Sequence, residues 1–137
     1  MTNSHELLQI ARDTRGVVTL TLNDPTRFNA LGSEMLTALQ QALDDAGRDE
    51  SVRVVVLAAA GKAFCAGHNL KDMAAHPELA YYQKLFAQCS RMMLTIHKLS
   101  VPVIARVQGM ATAAGCQLVA QCDLAVAADT ASFATSG

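Results

Sequence analysis

Two stretches of small residues follow apolar runs and lead into helical patterns. Their residue types suit the binding of an oxygen that gains negative charge. The first is Lys62-Ala63-Phe64-Cys65-Ala66-Gly67-His68-Asn69-Leu70-Lys71, and the second is Gly109-Met110-Ala111-Thr112-Ala113-Ala114-Gly115-Cys116-Gln117. Glycine and alanine let a ligand approach the backbone closely. At a helix start the first amide N–H groups lack intrahelical acceptors and lie at the positive end of the macrodipole, equivalent to about half an elementary charge. Two such amides aimed at one point could hold a carbonyl oxygen as it becomes an oxyanion. Taken singly, each stretch also reads as a tight turn in which only Gly or Ala fits against a helix. Two turns of the same build on neighbouring crossovers favour a ligand site, the position at which open α/β sheets bind their ligands.

Turns of this kind need a strand in front and a helix behind. Val52, Val54, Val55, Val56 and Leu57 form a β-branched run that predicts a buried strand before the first turn, and Val103 to Val107 predicts another before the second. Upstream, Leu7 to Arg12 and the alternating Val17 to Leu22 flank Asp13-Thr14-Arg15-Gly16, the pattern of a hairpin. Pro25 takes the chain out of the sheet into a loop that ends at Gly32. From Ser33, read as an N-cap, the residues Met35, Leu36, Leu39, Ala42, Leu43 and Ala46 recur at helical spacing until Gly47. One helical turn fits Asn69 to Met73. A long helix follows from Glu78 to about Lys98, with an apolar stripe of Leu79, Tyr82, Leu85, Phe86, Cys89, Met92, Met93, Ile96 and Leu99. A third helix fits Ala113 to about Gln121, then a strand from Asp123 to Ala128 and an extended piece around Ser132 to Ala134. Strands separated by helices predict parallel pairing through right-handed crossovers, hence an α/β fold. No closing helix follows the last strand, so the spacing predicts an uncovered sheet face, and either a single domain over 1–137 that is incomplete at its C-terminal side or a partner that supplies the cover.

Composition narrows the function. With 137 residues, 51% of them hydrophobic, the chain can bury one core. Eleven basic and twelve acidic residues without a block of like charge leave no footprint for nucleic acid or an anionic membrane. Without an apolar run of eighteen residues, no membrane span is expected. The four cysteines Cys65, Cys89, Cys116 and Cys122 show no C-x-x-C spacing and no secretory leader precedes them, which predicts reduced thiols and a cytoplasmic location. No metal constellation is visible.

The first turn, then Val101 to Gly109, then Ala113-Ala114-Gly115-Cys116-Gln117-Leu118, then Cys122-Asp123-Leu124-Ala125-Val126-Ala127 together resemble the enoyl-CoA hydratase/isomerase, or crotonase, family. The resemblance runs from about Thr14 to the last residue with the motifs in the family's order and spacing. Within the family, Ala66-Gly67-His68 and Ala113 to Gln117 draw it towards one subgroup. The resemblance implies a spiral of repeated strand-strand-helix turns, homotrimers that often pair into hexamers, and an acyl-CoA substrate. Coenzyme A would then enter as part of that substrate, with no permanently bound cofactor. It further implies that the backbone N–H groups of His68 and Ala114 form the oxyanion hole around the thioester carbonyl. It places Ala66, through its backbone, at the adenine edge, Arg27 and Phe28 near the nucleotide, and Ala30, Gly67 and Leu70 along the same binding surface. Arg27 could equally be a solvated loop charge.

Departures from the family pattern limit the chemistry. Its hydratases handle water with two glutamates; Gln117 stands where the first would be, and the second would fall at Gly137. An amide can orient water but cannot take its proton. Asn69 stands where the family often has aspartate, and Ala113-Ala114-Gly115 replaces its usual glycines. The expected activity is therefore thioester binding and carbonyl polarisation in an enoyl-CoA hydratase/isomerase-like enzyme without two-glutamate hydration, the alternative being a non-catalytic acyl-CoA-binding or assembly subunit. The His68 side chain could act as acid or base beside the thioester, but its place in the motif favours the backbone role. His76 and His97 read as solvent-facing or capping, His5 as part of a frayed terminus, Cys65 and Cys116 as small packing residues, and Asp123 as a turn-fixing side chain.

Overall fold

A computed structural model describes residues 6–135. His5 and Gly137 lie outside the described residues. The chain opens with the expected hairpin: β1 (Leu8–Arg12) runs antiparallel to β2 (Val17–Leu22), with Leu8 opposite Leu22 and Arg12 opposite Val18. Asp13 holds the turn, its Oδ1 accepting from the amides of Arg15 at 2.8 Å and Val17 at 3.1 Å, while Gly16 takes φ +84°. Val18, Leu20 and Leu22 are buried and the threonines between them half-buried, as their alternation requires.

The remaining elements are α1 (Ser33–Arg48), β3 (Val54–Ala59), β4 (Ala63–Cys65), α2 (Leu70–Ala75), α3 (Leu79–Lys98), β5 (Val103–Val107), β6 (Met110–Thr112), α4 (Ala114–Gln121), β7 (Leu124–Ala127) and β8 (Phe133–Ala134). One sheet has the order β1-β2-β3-β5-β7, with every pairing after the hairpin parallel, and a second, also parallel, has the order β4-β6-β8. Each successive strand pair, β3 with β4, β5 with β6 and β7 with β8, gives one strand to each sheet. Helices follow the first two pairs, and this is the repeated strand-strand-helix build. Buried residues of α1, α3, β2, β3 and β5 form one apolar cluster with Phe64.

Several local expectations are corrected. Ser33 is not the cap of α1: Gly32 holds the N-cap, with extended backbone, and no side chain caps it. The Ser33 side chain turns to the neighbouring helix instead, its Oγ 3.1 Å from Gln88 Oε1, while Gln88 Nε2 donates to the Ser33 carbonyl at 3.0 Å. Val52 is buried before β3 begins, and Ala113 is the cap of α4 rather than its first residue. The stripe on α3 is buried at Leu85, Cys89, Met92, Met93 and Ile96, but Leu79 is 69% exposed and Phe86 44%. β7 pairs only with β5 among the described residues, and Leu124 and Val126 are exposed on it.

Candidate functional site

The parallel pairing of β4 with β6, with Cys65 beside Ala111, brings the ends of both glycine turns together. Gly115 seats α4 on β4 so closely that a Cβ there would lie 2.1 Å from the Cys65 carbonyl oxygen. Gly67, at φ +91°, is next to the helix start: a Cβ on it would lie 3.1 Å from the Ala114 nitrogen. The amide following Gly67, that of His68, and the first amide of α4 are thus neighbours. Among the described residues neither donates to a protein acceptor. Two unpaired amides near one another, that of Ala114 at a helix start, are groups that could serve an oxyanion if both point at it.

The second turn is strained. Ala113, the N-cap of α4, has φ +51° and ψ −124°, a conformation that favours glycine, and its amide is held by the Ala134 carbonyl at 2.9 Å. Replacing Ala113 by glycine is expected to raise stability by about 1 kcal/mol, the relief of strain exceeding the added chain entropy. Urea unfolding measures this, and an unchanged or lower midpoint would show that the turn is not strained.

The loop after β2 is stitched to the first turn. Phe28 and Asn29 both adopt left-handed backbone, at φ 53° and 55°. The Ala66 amide donates to the Phe28 carbonyl at 3.0 Å and the Leu31 amide to the Gly67 carbonyl at 2.7 Å. The Cys65 thiol donates to the Asn29 carbonyl at 3.1 Å, and His68 Nδ1 lies 3.3 Å from the Leu31 carbonyl oxygen. Asn29 itself is fully buried: its Nδ2 donates to the carbonyls of Ala60 and Ala63, and its Oδ1 accepts from the Asp24 amide. With the Ala66 amide engaged, only its carbonyl, which also accepts from Thr112 Oγ1 at 3.3 Å, is available to a ligand.

Three cavities meet at His68. One, of about 460 Å³, is lined by Arg27, Phe28, Ala30, Ala66, Leu70, Lys71 and Asp72, which gathers the residues expected at the nucleotide except Gly67 and sets two cations and one carboxylate around them. A second, of about 420 Å³, is lined by Ala113, Ala114, Cys116, Gln117, Ala120 and Thr135 with His68, and holds no carboxylate among the described residues. A third, of about 600 Å³ and mostly apolar, lies between Leu70, Met73, Phe86 and Thr112. Phe86 rests against the His68 ring, centroids 5.2 Å apart and planes tilted by 58°. Asn69 caps α2, its Oδ1 accepting from Lys71 and Asp72 at 3.1 and 3.2 Å, a task that needs an acceptor but no charge.

Burial pushes the Cys65 thiol up to about 12 despite a hydrogen bond with the Gly67 backbone that pulls the other way. Burial likewise raises Cys89, and raises Cys122 to about 12 with help from nearby Asp123. All four cysteines are free thiols. Asp123 ties β7 to β5, its Oδ2 accepting from the Val103 amide at 2.8 Å. His76 caps α2 through Nδ1 and stacks on Tyr81, and His97 is exposed near the end of α3. Among the described residues no cluster of three His, Cys, Asp or Glu side chains could hold a metal ion, and no helix is long and apolar enough to cross a membrane.

Sequence reasoning missed Asn29 and the placement of Phe86 at the site. For Asn29 the available signal was an asparagine next to an apolar residue in a loop that needs left-handed backbone. For Phe86 there was none, because its helical spacing matches that of the core stripe.

Residues 12–137 match the family model described as enoyl-CoA hydratase/isomerase. The chain is 42% identical over 133 residues to enoyl-CoA hydratase domain-containing protein 3, mitochondrial, of Xenopus laevis, covering 97% of this chain and 45% of that protein. Among solved structures it is similar to an enoyl-CoA hydratase of Mycobacterium smegmatis, with a TM-score of 0.95 and 64% identity over 97% of this chain and 52% of that one. It is also similar to human enoyl-CoA hydratase domain-containing protein 3, with a TM-score of 0.90 and 39% identity over 95% and 51%. The chain spans about half the length of the curated relatives it matches.

Proposed function

Since the chain belongs to the enoyl-CoA hydratase/isomerase family and has its crotonase fold, we propose that it binds an acyl-CoA thioester and polarises the carbonyl between the amides of His68 and Ala114. The observation that carries this reading is the closeness of Gly67 to the start of α4, where an added Cβ would lie 3.1 Å from the Ala114 nitrogen, which favours two unpaired donors near one another beside His68, where three cavities meet. The nucleotide lies along Arg27, Phe28, Ala30, Ala66, Gly67 and Leu70, where Arg27 and Lys71 face its phosphates. The thioester oxygen sits in the hole, and the acyl chain enters the apolar cavity beside Phe86. Each hole donor contributes about 2.7–4 kcal/mol of transition-state stabilisation. Gln117 orients a water or the acyl group and takes no proton. Coenzyme A arrives with the substrate, and no other cofactor is required. A homotrimer or hexamer is the proposed assembly. The free thiols support a reducing compartment, which includes the proposed cytoplasm.

Calorimetric titration with butyryl-CoA, joined to infrared difference spectra of the ¹³C-labelled thioester, tests the reading. Binding with a carbonyl stretch moved to lower frequency is expected, and binding without that shift would remove the hole from the account. A second reading, a non-catalytic acyl-CoA-binding subunit, draws on the absence of a carboxylate around the hole among the described residues. It predicts a shifted carbonyl but no turnover of crotonyl-CoA or other thioesters.

A further inference from the structure

The hole polarises a carbonyl, but a polarised thioester reacts only if a group beside it moves a proton. Around the second cavity Gln117 and Thr135 are not bases at neutral pH, Ala113, Ala114 and Ala120 carry no titratable group, and a thiol serves as a base only in its thiolate form. Among the described residues that line this cavity, that leaves the His68 side chain. Its ring is half-buried and lines all three cavities. The Leu31 carbonyl, 3.3 Å from Nδ1, can only accept, so that contact places the ring proton on Nδ1. Nε2 is left with a lone pair and no protein partner among the described residues. Phe86 packs against the ring and limits its rotation. The Leu31 amide also holds the Gly67 carbonyl, so one residue fixes both the backbone and the ring of His68.

Resting on the proposed thioester site, we propose that the His68 imidazole is a catalytic base, with Nε2 removing a proton from the acyl carbon next to the thioester carbonyl. The Nε2 lone pair forms the new N–H bond as the C–H bond breaks. Its electron pair becomes the enolate double bond, and the carbonyl π pair moves onto the oxygen held by the amides of His68 and Ala114. The resulting imidazolium keeps Nδ1–H on the Leu31 carbonyl. Return of the proton to the same carbon regenerates the thioester, and its delivery two carbons further along a conjugated enolate shifts a double bond. The same residue would thus supply the hole through its backbone and the base through its side chain. The reaction class is proton transfer α to a thioester carbonyl, with neither added water nor an external oxidant.

Incubation of the protein with butyryl-CoA in D₂O reads the step directly as deuterium at the α-carbon, by mass spectrometry. Substituting His68→Gln leaves the backbone donor in place. The expected result is exchange by the native protein that falls by at least about 100-fold in the variant, with butyryl-CoA affinity held within about threefold. Exchange retained within about threefold in the variant would overturn the inference. Thioester binding by the native protein without any exchange would overturn it while leaving the binding site standing; no binding at all would overturn both. Should the variant not fold, ¹⁵N spectra of the native histidines decide: the His68 Nε2 resonance must move on addition of butyryl-CoA, and a stationary resonance at saturation refutes the proposal.

Discussion

Replacing Gly115 by alanine is expected to destabilise the protein by about 3 kcal/mol and to abolish the proposed carbonyl polarisation, although the substitution adds one methyl group at a helix start. The methyl carbon would lie 2.1 Å from the Cys65 carbonyl oxygen, 2.6 Å from its carbon and 2.9 Å from its Cβ. Two of these are backbone atoms of β4, which is fully buried and cannot turn aside as a flexible side chain would. α4 must therefore withdraw by about 1 Å, carrying the Ala114 amide with it, and a displacement of that size would cost the proposed chemistry about 100-fold. Urea unfolding and the ¹³C infrared shift of bound butyryl-CoA measure the two effects. Gly47→Ala is the control, since its added carbon meets only the Leu99 Cδ1 methyl at 3.1 Å and a helical glycine gives way to a better helix former. A Gly115→Ala protein with native stability and an undiminished infrared shift would show that α4 and β4 are not closely seated, and with that the described hole would fail.

The strand-turn-helix order at both turns was legible because a β-branched run, a group of small residues and a helical period are each strong local signals. What local signals could not supply was the contact between the turns. β4 and β6 have only three residues each, too few for alternation to register, and their residues Ala63, Phe64, Cys65, Met110, Ala111 and Thr112 read as turn. Yet their pairing seats Gly67 against Ala114. The hairpin and α1 were legible almost to the residue, whereas the Ser33 cap was not, because a serine before a helical period fits both a cap and a first-turn residue. Phe86 shows the same ambiguity in tertiary form: an apolar residue at helical spacing marks a buried stripe or the wall of a cavity, and only the packing of α3 decides. The glutamine in place of a carboxylate at 117 could be read directly, while the pinning of the His68 ring by Leu31 could not, because it joins side chain and backbone across a separation of 37 residues.

Removing the Asn29 side chain is expected to cost about 3 kcal/mol and to loosen the first half of the proposed hole without touching it. Asn29→Ala deletes two donors, to the Ala60 carbonyl at 2.9 Å and the Ala63 carbonyl at 3.0 Å, and the acceptor of the Asp24 amide at 2.8 Å, at a residue with no solvent exposure. Gln108 Nε2 also donates to the Ala63 carbonyl at 3.0 Å, so that oxygen stays paired, while the Asp24 amide is stranded. Alanine must also hold φ 55°, where asparagine is tolerated and glycine is unstrained. Asn29→Gly separates the two causes: it relieves the backbone and still loses every hydrogen bond, so it should recover less than half of the loss. The consequence reaches the site through the loop, since Phe28 receives the Ala66 amide and Leu31 holds both the Gly67 carbonyl and His68 Nδ1. Hydrogen exchange at the amides of Ala66 and Leu31 should therefore quicken in Asn29→Ala together with a weaker thioester infrared shift. Protection unchanged at both amides would mean that the turn holds its shape without the loop, and that the hole is organised by β4 and α4 alone.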